Sequence, residues 1–173
     1  MPDPLLEDGS VPADRAVLER RLEELDIRTT TVRHPPVFTV EEAKALRGDL
    51  PGCHTKNLFV RDRKGVMWLV VCREDRRVDL AALAQELGCG RLSFGSPDRL
   101  MRYLGVIPGA VTPFAVINDR SGRVGVAMDR GMVAHAPWNF HPLDNAMTTA
   151  IEPADMVRFL EAQGHAPLWI GFP

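Results

Sequence analysis

One heptapeptide, Val66-Met-Trp-Leu-Val-Val-Cys72, limits the folds open to this chain more than any other feature. It is apolar at every position, so a β-strand built from it would be buried on both faces. Turn-forming residues occupy positions 62–65, and a second strand-like segment, residues 55–61, comes before them. We therefore predict a β-hairpin over residues 55–72 whose second strand is central in a sheet and covered on both sides.

Helix-start and helix-stop residues divide much of the remaining chain. Apolar spacing predicts a helix over residues 13–27. A capping box, Thr39-Val-Glu-Glu42, predicts a second helix from Thr39 to about Arg47, with Gly48 as its stop. Further helices are predicted from their caps and prolines, after Asp79 and up to Gly88, after Ser96-Pro97, and from Pro153.

The other β-prone segments do not alternate strictly with these helices. They are residues 29–32, 114–118 and 124–128, with more β-like sequence near 131–135 and 145–151. This mixture predicts an α/β fold of the α+β type: a single domain with a mixed, strongly curved, barrel-like sheet and peripheral helices. Residues 1–11 are expected to be a flexible N-terminal tail, residues 12–173 the domain, and the apolar C-terminal residues 166–173 to dock on its body.

Charge and composition exclude several classes of protein. The 173 residues carry 21 basic and 23 acidic side chains, a net charge of −2, whereas a protein that wraps long nucleic acid is usually much more basic. No apolar run has the length of a membrane helix, and the first residues do not resemble a secretory signal. Three cysteines without a C-x-x-C pair indicate reduced thiols, so we expect a cytoplasmic protein with no membrane partner.

Several reaction classes lack their sequence motifs. We find no phosphate-binding loop, no dinucleotide fingerprint, no nucleophile elbow and no H-E-x-x-H zinc motif. Cys53 and His54 are adjacent, but neighbours on a strand point to opposite faces, so they are not predicted to pair. A metal site assembled from distant segments stays open.

Three separate segments carry candidate functional groups. Lys56 shares a strand face with aliphatic residues and is either a snorkelling edge residue or a charge held in a pocket. The loop from Gly109 to Pro113 is either an ordinary rigid loop or a wall of main-chain groups around a small ligand. The stretch from His141 to Thr148 is either a turn network or a binding rim.

Basic residues concentrate between positions 56 and 77, where seven lysines and arginines stand against three acids. Because the two ends of a hairpin are far apart, this set can form two patches. A solvated surface is one interpretation, and contact with phosphates is the other.

Taken together and in this order, the three segments resemble the prolyl-tRNA synthetase editing-domain-like family. The motifs are Lys56-Asn57, the G-x-x-x-P loop from Gly109 to Pro113, and His141-Pro-Leu-x-Asn145-x-x-Thr148. The resemblance spans roughly residues 25–165 and is strongest to the freestanding alanyl-tRNA(Pro) deacylases. It implies a barrel-like mixed sheet and a trans-editing hydrolase that cleaves the ester between a wrong amino acid and the 3′ end of tRNA(Pro).

The resemblance also implies the roles of individual residues. Lys56 would be needed for catalysis, whereas the other motif residues would bind substrate: Asn57, Gly109, Pro113, His141, Asn145 and Thr148. No metal or organic cofactor is expected. The partner would be the acceptor end of tRNA(Pro), contacted by some of residues 61–77, and a transient contact with prolyl-tRNA synthetase is left open.

The chemistry of an aminoacyl ester agrees with this set of residues. The ester is already activated, so water can attack it once main-chain amides or a cation polarise the carbonyl. A small pocket walled by Gly109, Pro113 and His141 would admit alanine and reject the larger proline ring. Three alternatives stay open: a deacylase for Cys- or Ser-charged tRNA, a non-catalytic nucleic-acid-binding module, and a small-molecule hydrolase.

Overall fold

The computed structural model describes residues 3–47 and 50–172 of the chain. In this part there are five α-helices: α1 (Arg15–Glu24), α2 (Val40–Arg47), α3 (Leu80–Leu87), α4 (Pro97–Leu104) and α5 (Pro153–Ala162). The described strands are β1 (Thr30–Arg33), β2 (Cys53–Arg61), β3 (Met67–Arg73), β4 (Ser93–Phe94), β5 (Val124–Asp129), β6 (Trp138–Phe140), β7 (Met147–Ile151) and β8 (Leu168–Ile170).

These strands form one sheet with both parallel and antiparallel pairs. The hydrogen-bonded order is β1-β7-β6-β2-β3-β5-β8, and β4 pairs with the end of β2. β2 pairs in parallel with β6, as β3 does with β5 and β5 with β8, while the other pairs are antiparallel. The predicted single α/β domain with a mixed sheet is confirmed. Among the described residues, the hydrogen-bonded order begins at β1 and ends at β8. These two edge strands do not pair with each other.

The β2–β3 hairpin lies at the centre of this sheet, as its all-apolar second strand predicts. On one face of β3, Leu69 and Val71 join the main core with residues of α1, α4 and α5. On the opposite face, Val70 packs with Leu83 and Leu87 of α3 in a second core. β3 is therefore covered on both sides, and the hairpin is a rigid base for side chains at its ends.

The helix boundaries follow their caps. Asp79 accepts a hydrogen bond from the Ala81 N–H, and Gly88 ends α3 in the left-handed conformation. At α2 the Thr39 hydroxyl accepts from Glu42 N (3.1 Å), while the Glu42 carboxylate accepts from Phe38 N (2.9 Å). The predicted capping box is thus present, with its return bond one residue earlier than usual. The predicted stop at Gly48 lies outside the described residues.

Two local predictions were wrong, and strand β6 was missed. Residues 113–118 form a 3-10 helix instead of a strand, because Pro113 fixes the first φ angle and the Thr112 hydroxyl accepts from Phe114 N (3.3 Å). The segment near 131–135 begins as a short 3-10 helix, Arg130–Met132, because the Asp129 carboxylate accepts from Gly131 N (2.7 Å). β6 was not predicted, since it is only three residues long.

Both ends of the described chain pack on the domain. β8 adds to β5 as a parallel strand, so the C-terminal residues dock as predicted. At the other end, Leu6 is 5% exposed and Glu7 N donates to the carbonyl of Arg102 (2.8 Å). This part of the segment that the sequence predicts to be a flexible tail is thus packed on the domain, because the buried leucine anchors it. Among the described residues, no helix is both long and apolar enough to cross a membrane.

Candidate active site

A cleft opens between α2, the start of β2 and the β6–β7 edge of the sheet. It consists of two adjacent cavities of about 320 and 210 Å³. Both cavities are lined by the same six residues: Val37, Ala43, Thr55, Asn57, Glu74 and His141. We call the larger cavity, which His34 and Thr148 line, the His34 compartment, and the smaller one, which Lys56 and Gly109 line, the Lys56 compartment.

Lys56 faces this cleft from the first half of β2, where it pairs with Cys72 of β3. Its side chain is half-buried, and its ammonium donates a hydrogen bond to the main-chain carbonyl of Arg76. Gly109 and His141 line the same compartment. The structure thus brings together one residue from each of the three sequence segments, and the lysine amine is held against the protein.

His141 lines both compartments of the cleft. Its Nδ1 lies 2.7 Å from the Met147 carbonyl, which can only accept, so Nδ1 carries the proton. Burial lowers the pKa of the His141 imidazole below its ordinary value, with the nearby His34 acting in the same direction against the favourable Met147 bond. The neutral ring then leaves Nε2 as an acceptor, and no described residue bonds to it.

His34 and Thr148 form a hydrogen-bonded pair in the larger compartment. The Nδ1 of His34 donates to the Pro35 carbonyl (2.8 Å), and its Nε2 lies 2.8 Å from the Thr148 hydroxyl. In the neutral tautomer the hydroxyl therefore donates to Nε2. Thr148, which the resemblance predicted to bind substrate, lines this compartment, whereas His34 was not predicted. Its position just after β1 gave no signal, because only the pairing of β1 with β7 brings it to Thr148.

Asn57 lines both compartments and carries a buried polar atom without a hydrogen-bond partner in the described part of the chain. Its Oδ1 is buried and has no hydrogen-bond partner among the described residues, while its amide nitrogen makes a long 3.5 Å contact with the Thr55 hydroxyl. A buried acceptor without a partner is costly, and such atoms are most often satisfied by water or a ligand. Because Asn57 lines both compartments, we expect this oxygen to turn toward a bound molecule.

Gly109 shapes the smaller compartment through the protein's own backbone. Its φ angle is +92°, and a Cβ there would lie 3.1 Å from both the Val37 carbonyl oxygen and the Phe38 Cα. The loop before Pro113 can pack closely against residues 37–38 only because position 109 lacks a side chain. At Gly109 this loop therefore packs against the loop before α2, on the opposite side of the compartment.

Two predicted binding residues lie outside the cleft lining. Pro113 is buried at the start of the 3-10 helix, so its role as a pocket wall is not supported. Asn145 lines a neighbouring surface groove instead. Its Nδ2 donates to the Val37 carbonyl (2.9 Å) and its own carbonyl accepts from Val37 N (3.2 Å). The Val37 loop lies between Asn145 and the cleft. Asn145 therefore holds Val37, a lining residue, from the side of the loop that faces away from the cleft.

The three cysteine thiols and His165 are not among the residues that line the cleft. Burial raises the pKa of the Cys53 thiol to about 11 and that of Cys72 to about 12, so both are protonated at neutral pH. His165 pairs with Asp119 at 2.9 Å, buried away from the cleft. Across the described ranges, no group of three His, Cys, Asp or Glu side chains could hold a metal ion.

The basic cluster of residues 56–77 is dispersed by the hairpin. Arg63 and Lys64 are exposed at its turn, whereas Arg73 and Arg76 follow the end of β3. Arg73 pairs with Asp75 at 2.7 Å, and the Arg76 guanidinium pairs with a buried aspartate, Asp129, at 2.9 Å. The set therefore forms two regions, and its second region is partly neutralised by acids.

Comparison with known proteins identifies the family and the relatives of this chain. The model of the aminoacyl-tRNA editing domain family matches residues 34–159. The chain is 38% identical over 154 residues to the prolyl-tRNA editing protein ProX of Acetoanaerobium sticklandii, covering 88% of this chain and 93% of that one. It is 40% identical to the prolyl-tRNA synthetase associated domain-containing protein 1 of Danio rerio, covering 93% of this chain and 89% of that one.

Solved structures match the fold over nearly the whole chain. The crystal structure of a hypothetical protein, 19% identical, gives a TM-score of 0.70 and covers 91% of this chain and 99% of that one. A candidate trans-editing enzyme for prolyl tRNA synthetase, 20% identical, gives 0.66 and covers 90% and 92%. At these identities the structural matches show the fold alone. The family model and the sequence relatives together show that the chain belongs to the aminoacyl-tRNA editing domain family and is an aminoacyl-tRNA deacylase.

Proposed function

We propose that this protein hydrolyses mischarged tRNA(Pro) in trans and that its preferred substrate is Ala-tRNA(Pro). One observation carries the proposal: Lys56, Gly109 and His141 line a single small compartment in a chain of the editing family. The relative from Acetoanaerobium sticklandii, which this chain matches over 93% of that protein's length, is named a prolyl-tRNA editing protein. This supports tRNA(Pro) as the carrier of the wrong amino acid.

The proposed reaction needs water and no protein nucleophile. The water oxygen attacks the carbonyl carbon of the alanyl ester and the bond from that carbon to the ribose oxygen breaks. The attacking water gives up a proton, and the ribose oxygen takes up a proton. The products are alanine and tRNA(Pro) with a free 3′ end. The protonated state of Cys53 and Cys72, and their absence from the cleft lining, agree with water as the attacking group.

Each cleft residue has a proposed part in this reaction. The Lys56 ammonium stabilises negative charge, either on the reacting carbonyl oxygen or on the phosphate of the terminal adenosine. The unpaired Oδ1 of Asn57 accepts a hydrogen bond from the α-ammonium of the aminoacyl group. In the larger compartment, the Thr148 hydroxyl, fixed by His34, contacts the terminal ribose. A ribose hydroxyl of the substrate orients the water.

Selection against proline is proposed to be steric. The Lys56 compartment holds about 210 Å³ and is bounded by His141 and by the Val37–Phe38 loop. Attraction alone separates substrates that differ by a methylene by only about 1–3 kcal/mol, so a site for alanine works better by refusing a larger ring than by binding alanine tightly. The half-buried, hydrogen-bonded imidazole of His141 is suited to this because its bond to the Met147 carbonyl holds the ring in place.

A panel of charged tRNAs tests the proposal. Purified protein is mixed with tRNA(Pro) carrying alanine, cysteine, serine or proline, and release of the amino acid is followed against a no-enzyme control. We expect the fastest release from Ala-tRNA(Pro) and no release from Pro-tRNA(Pro). Faster release of cysteine or serine would instead assign those substrates. Binding of tRNA without any release, or no effect on any tRNA, would overturn the proposal.

A further inference from the structure

Asp129 is a fully buried carboxylate that lies outside the cleft. It is the last residue of β5 and accepts four hydrogen bonds from N–H donors. Two come from the Arg76 guanidinium, Nε at 2.9 Å and Nη2 at 3.3 Å, and two from the main-chain N–H groups of Gly131 (2.7 Å) and Arg73 (3.2 Å). It therefore ties the end of β3 and the loop after it to the end of β5.

The same loop residue, Arg76, contacts the candidate catalytic lysine. Its main-chain carbonyl accepts the hydrogen bond from the Lys56 ammonium, and its N–H donates to the Arg73 carbonyl (3.0 Å). A lysine side chain has four flexible carbons and three rotatable donors, so its ammonium needs an external partner to stay in one place. That partner is the main-chain carbonyl of Arg76, and the Arg76 side chain is itself hydrogen-bonded to Asp129.

The turn at residues 129–131 packs tightly against the Arg76 guanidinium and the Asp129 carboxylate, so these groups have little room to move. A Cβ at Gly131 would lie 2.0 Å from Arg76 Nη2 and 3.0 Å from Asp129 Oδ1. Burial alone would raise the pKa of the Asp129 carboxyl, but the bonds from Arg76, Gly131 and Arg73 outweigh burial and hold the pKa below its ordinary value. The carboxylate is thus charged at neutral pH and stays paired with Arg76.

We propose that Asp129 is a positioning residue for Lys56, acting through Arg76, whose side chain it binds and whose carbonyl holds the lysine ammonium. Asp129 lines neither compartment of the cleft, so it does not touch the substrate. The proposal rests on the proposed function only for its effect on the reaction rate. The placement of the Lys56 amine can be measured without any tRNA.

Three variants disturb the network in different ways. Asp129→Asn keeps the shape but sets an amide donor against the N–H donors. Arg76→Lys keeps the charge but cannot make the bidentate contact with the Asp129 carboxylate. Gly131→Ala removes no polar group and displaces the guanidinium through the new Cβ. Asp155→Asn is the matched control, because it breaks the Asp155–Arg158 ion pair (2.9 Å) on α5, which lines neither compartment.

The first measurement is the reaction of each lysine with an amine-selective acylating reagent, followed by peptide mass spectrometry. The chain has three lysines, and Lys44 and Lys64 are exposed internal references. We expect Lys56 to react more slowly than both references in the wild-type protein. Its relative rate should rise several-fold in all three variants and stay unchanged in Asp155→Asn. Thermal unfolding selects a temperature at which every variant is folded.

The second measurement is single-turnover hydrolysis of Ala-tRNA(Pro). A misplaced catalytic group can cost up to about a hundredfold, so we expect the rate constant at saturating enzyme to fall about tenfold or more, with little change in the enzyme concentration for half-maximal rate. A merely structural role would lower stability without exposing Lys56. Equal Lys56 labelling in the wild type and the three variants would overturn the proposal. A wild-type protein that does not hydrolyse the substrate would refute the proposed function instead.

Discussion

His141 combines a fixed orientation with a neutral charge. The bond from Nδ1 to the Met147 carbonyl fixes the ring, and burial keeps the pKa of the imidazole below its ordinary value of 6.5. A neutral ring can stand in an apolar wall and still offer Nε2 to the cleft. The side chain is therefore suited both to limit the size of the aminoacyl group and to accept a hydrogen bond from a bound molecule.

Replacing His141 with alanine removes that wall. We expect His141→Ala to hydrolyse Pro-tRNA(Pro) measurably, because the enlarged compartment admits the proline ring. The measurement is the ratio of prolyl to alanyl release under single-turnover conditions, with His135→Ala as a control at an exposed histidine. A variant that still spares Pro-tRNA(Pro) completely would remove His141 from the selection of substrate.

The low pKa of His141 predicts the direction of a pH effect. Above pH 6.5 the imidazole is neutral, so the enzyme-dependent rate should be level after subtraction of uncatalysed hydrolysis. As the pH falls below 6.5 and through the lowered pKa, the ring takes up a proton, repelled by His34 and favoured by Asp144, and the rate should fall. In His141→Gln this acid limb should disappear. The same acid limb in both proteins would contradict the assignment to His141.

At the scale of elements, the Lys56 compartment depends on two loops that pack backbone to backbone. The loop before α2 carries Val37 and Phe38, and the loop after α4 carries Gly109. Asn145 holds Val37 from the other side through two hydrogen bonds. The width of the compartment is thus set by how closely the backbones of these two loops approach each other.

A substitution at Gly109 should therefore narrow or distort the cleft. Alanine at φ +92° is strained by roughly 1–2 kcal/mol, and its Cβ would press on Val37 and Phe38. Gly122→Ala is the matched control, since its φ is +68° but no atom lies within 4 Å of the new Cβ. We expect both variants to lose stability in chemical denaturation and only Gly109→Ala to lose deacylation. Equal activity in the two would refute a role for this packing.

The sequence was most informative about elements whose signals are local. Asp79, Ser96 and Gly88 marked helix ends correctly because caps depend on neighbouring residues. Residues 114–118 were misassigned because a short apolar segment, buried all round, has no readable period. Lys56, Gly109 and His141 were grouped by family resemblance, not by spacing. His34 was missed because its contact with Thr148 depends on strands more than a hundred residues apart.

At the scale of the whole molecule, the domain includes segments at both chain ends. β8 completes one edge of the sheet, and residues 6–7 lie against α4 and the loop before β5. Glu7 makes an ion pair with Arg123 at 3.2 Å, but both side chains are largely exposed, so this pair contributes little stability. The buried Leu6 side chain is the stronger anchor.

Leu6→Ala should accordingly destabilise the whole domain. Truncating a buried leucine costs about 2–5 kcal/mol, and Leu6 is 5% exposed, so we expect a value at the lower end of that range. Leu5, which is 50% exposed, provides the control variant Leu5→Ala, with almost no expected change. The free energy of unfolding from urea titrations checks both. Equal stability of the two variants would mean that this segment does not belong to the cooperative unit.

The net charge of −2 requires a contact with tRNA to be local, and we propose that the half-buried ammonium of Lys56 is the cation at its centre. The most direct measurement is single-turnover hydrolysis of Ala-tRNA(Pro) by the wild-type protein, by Lys56→Ala and by Lys44→Ala, which removes an exposed lysine from α2. We predict rapid alanine release by the wild type and by Lys44→Ala, and release at the uncatalysed rate with folded Lys56→Ala. Near-normal hydrolysis by Lys56→Ala would contradict the assignment of this cleft as the active site.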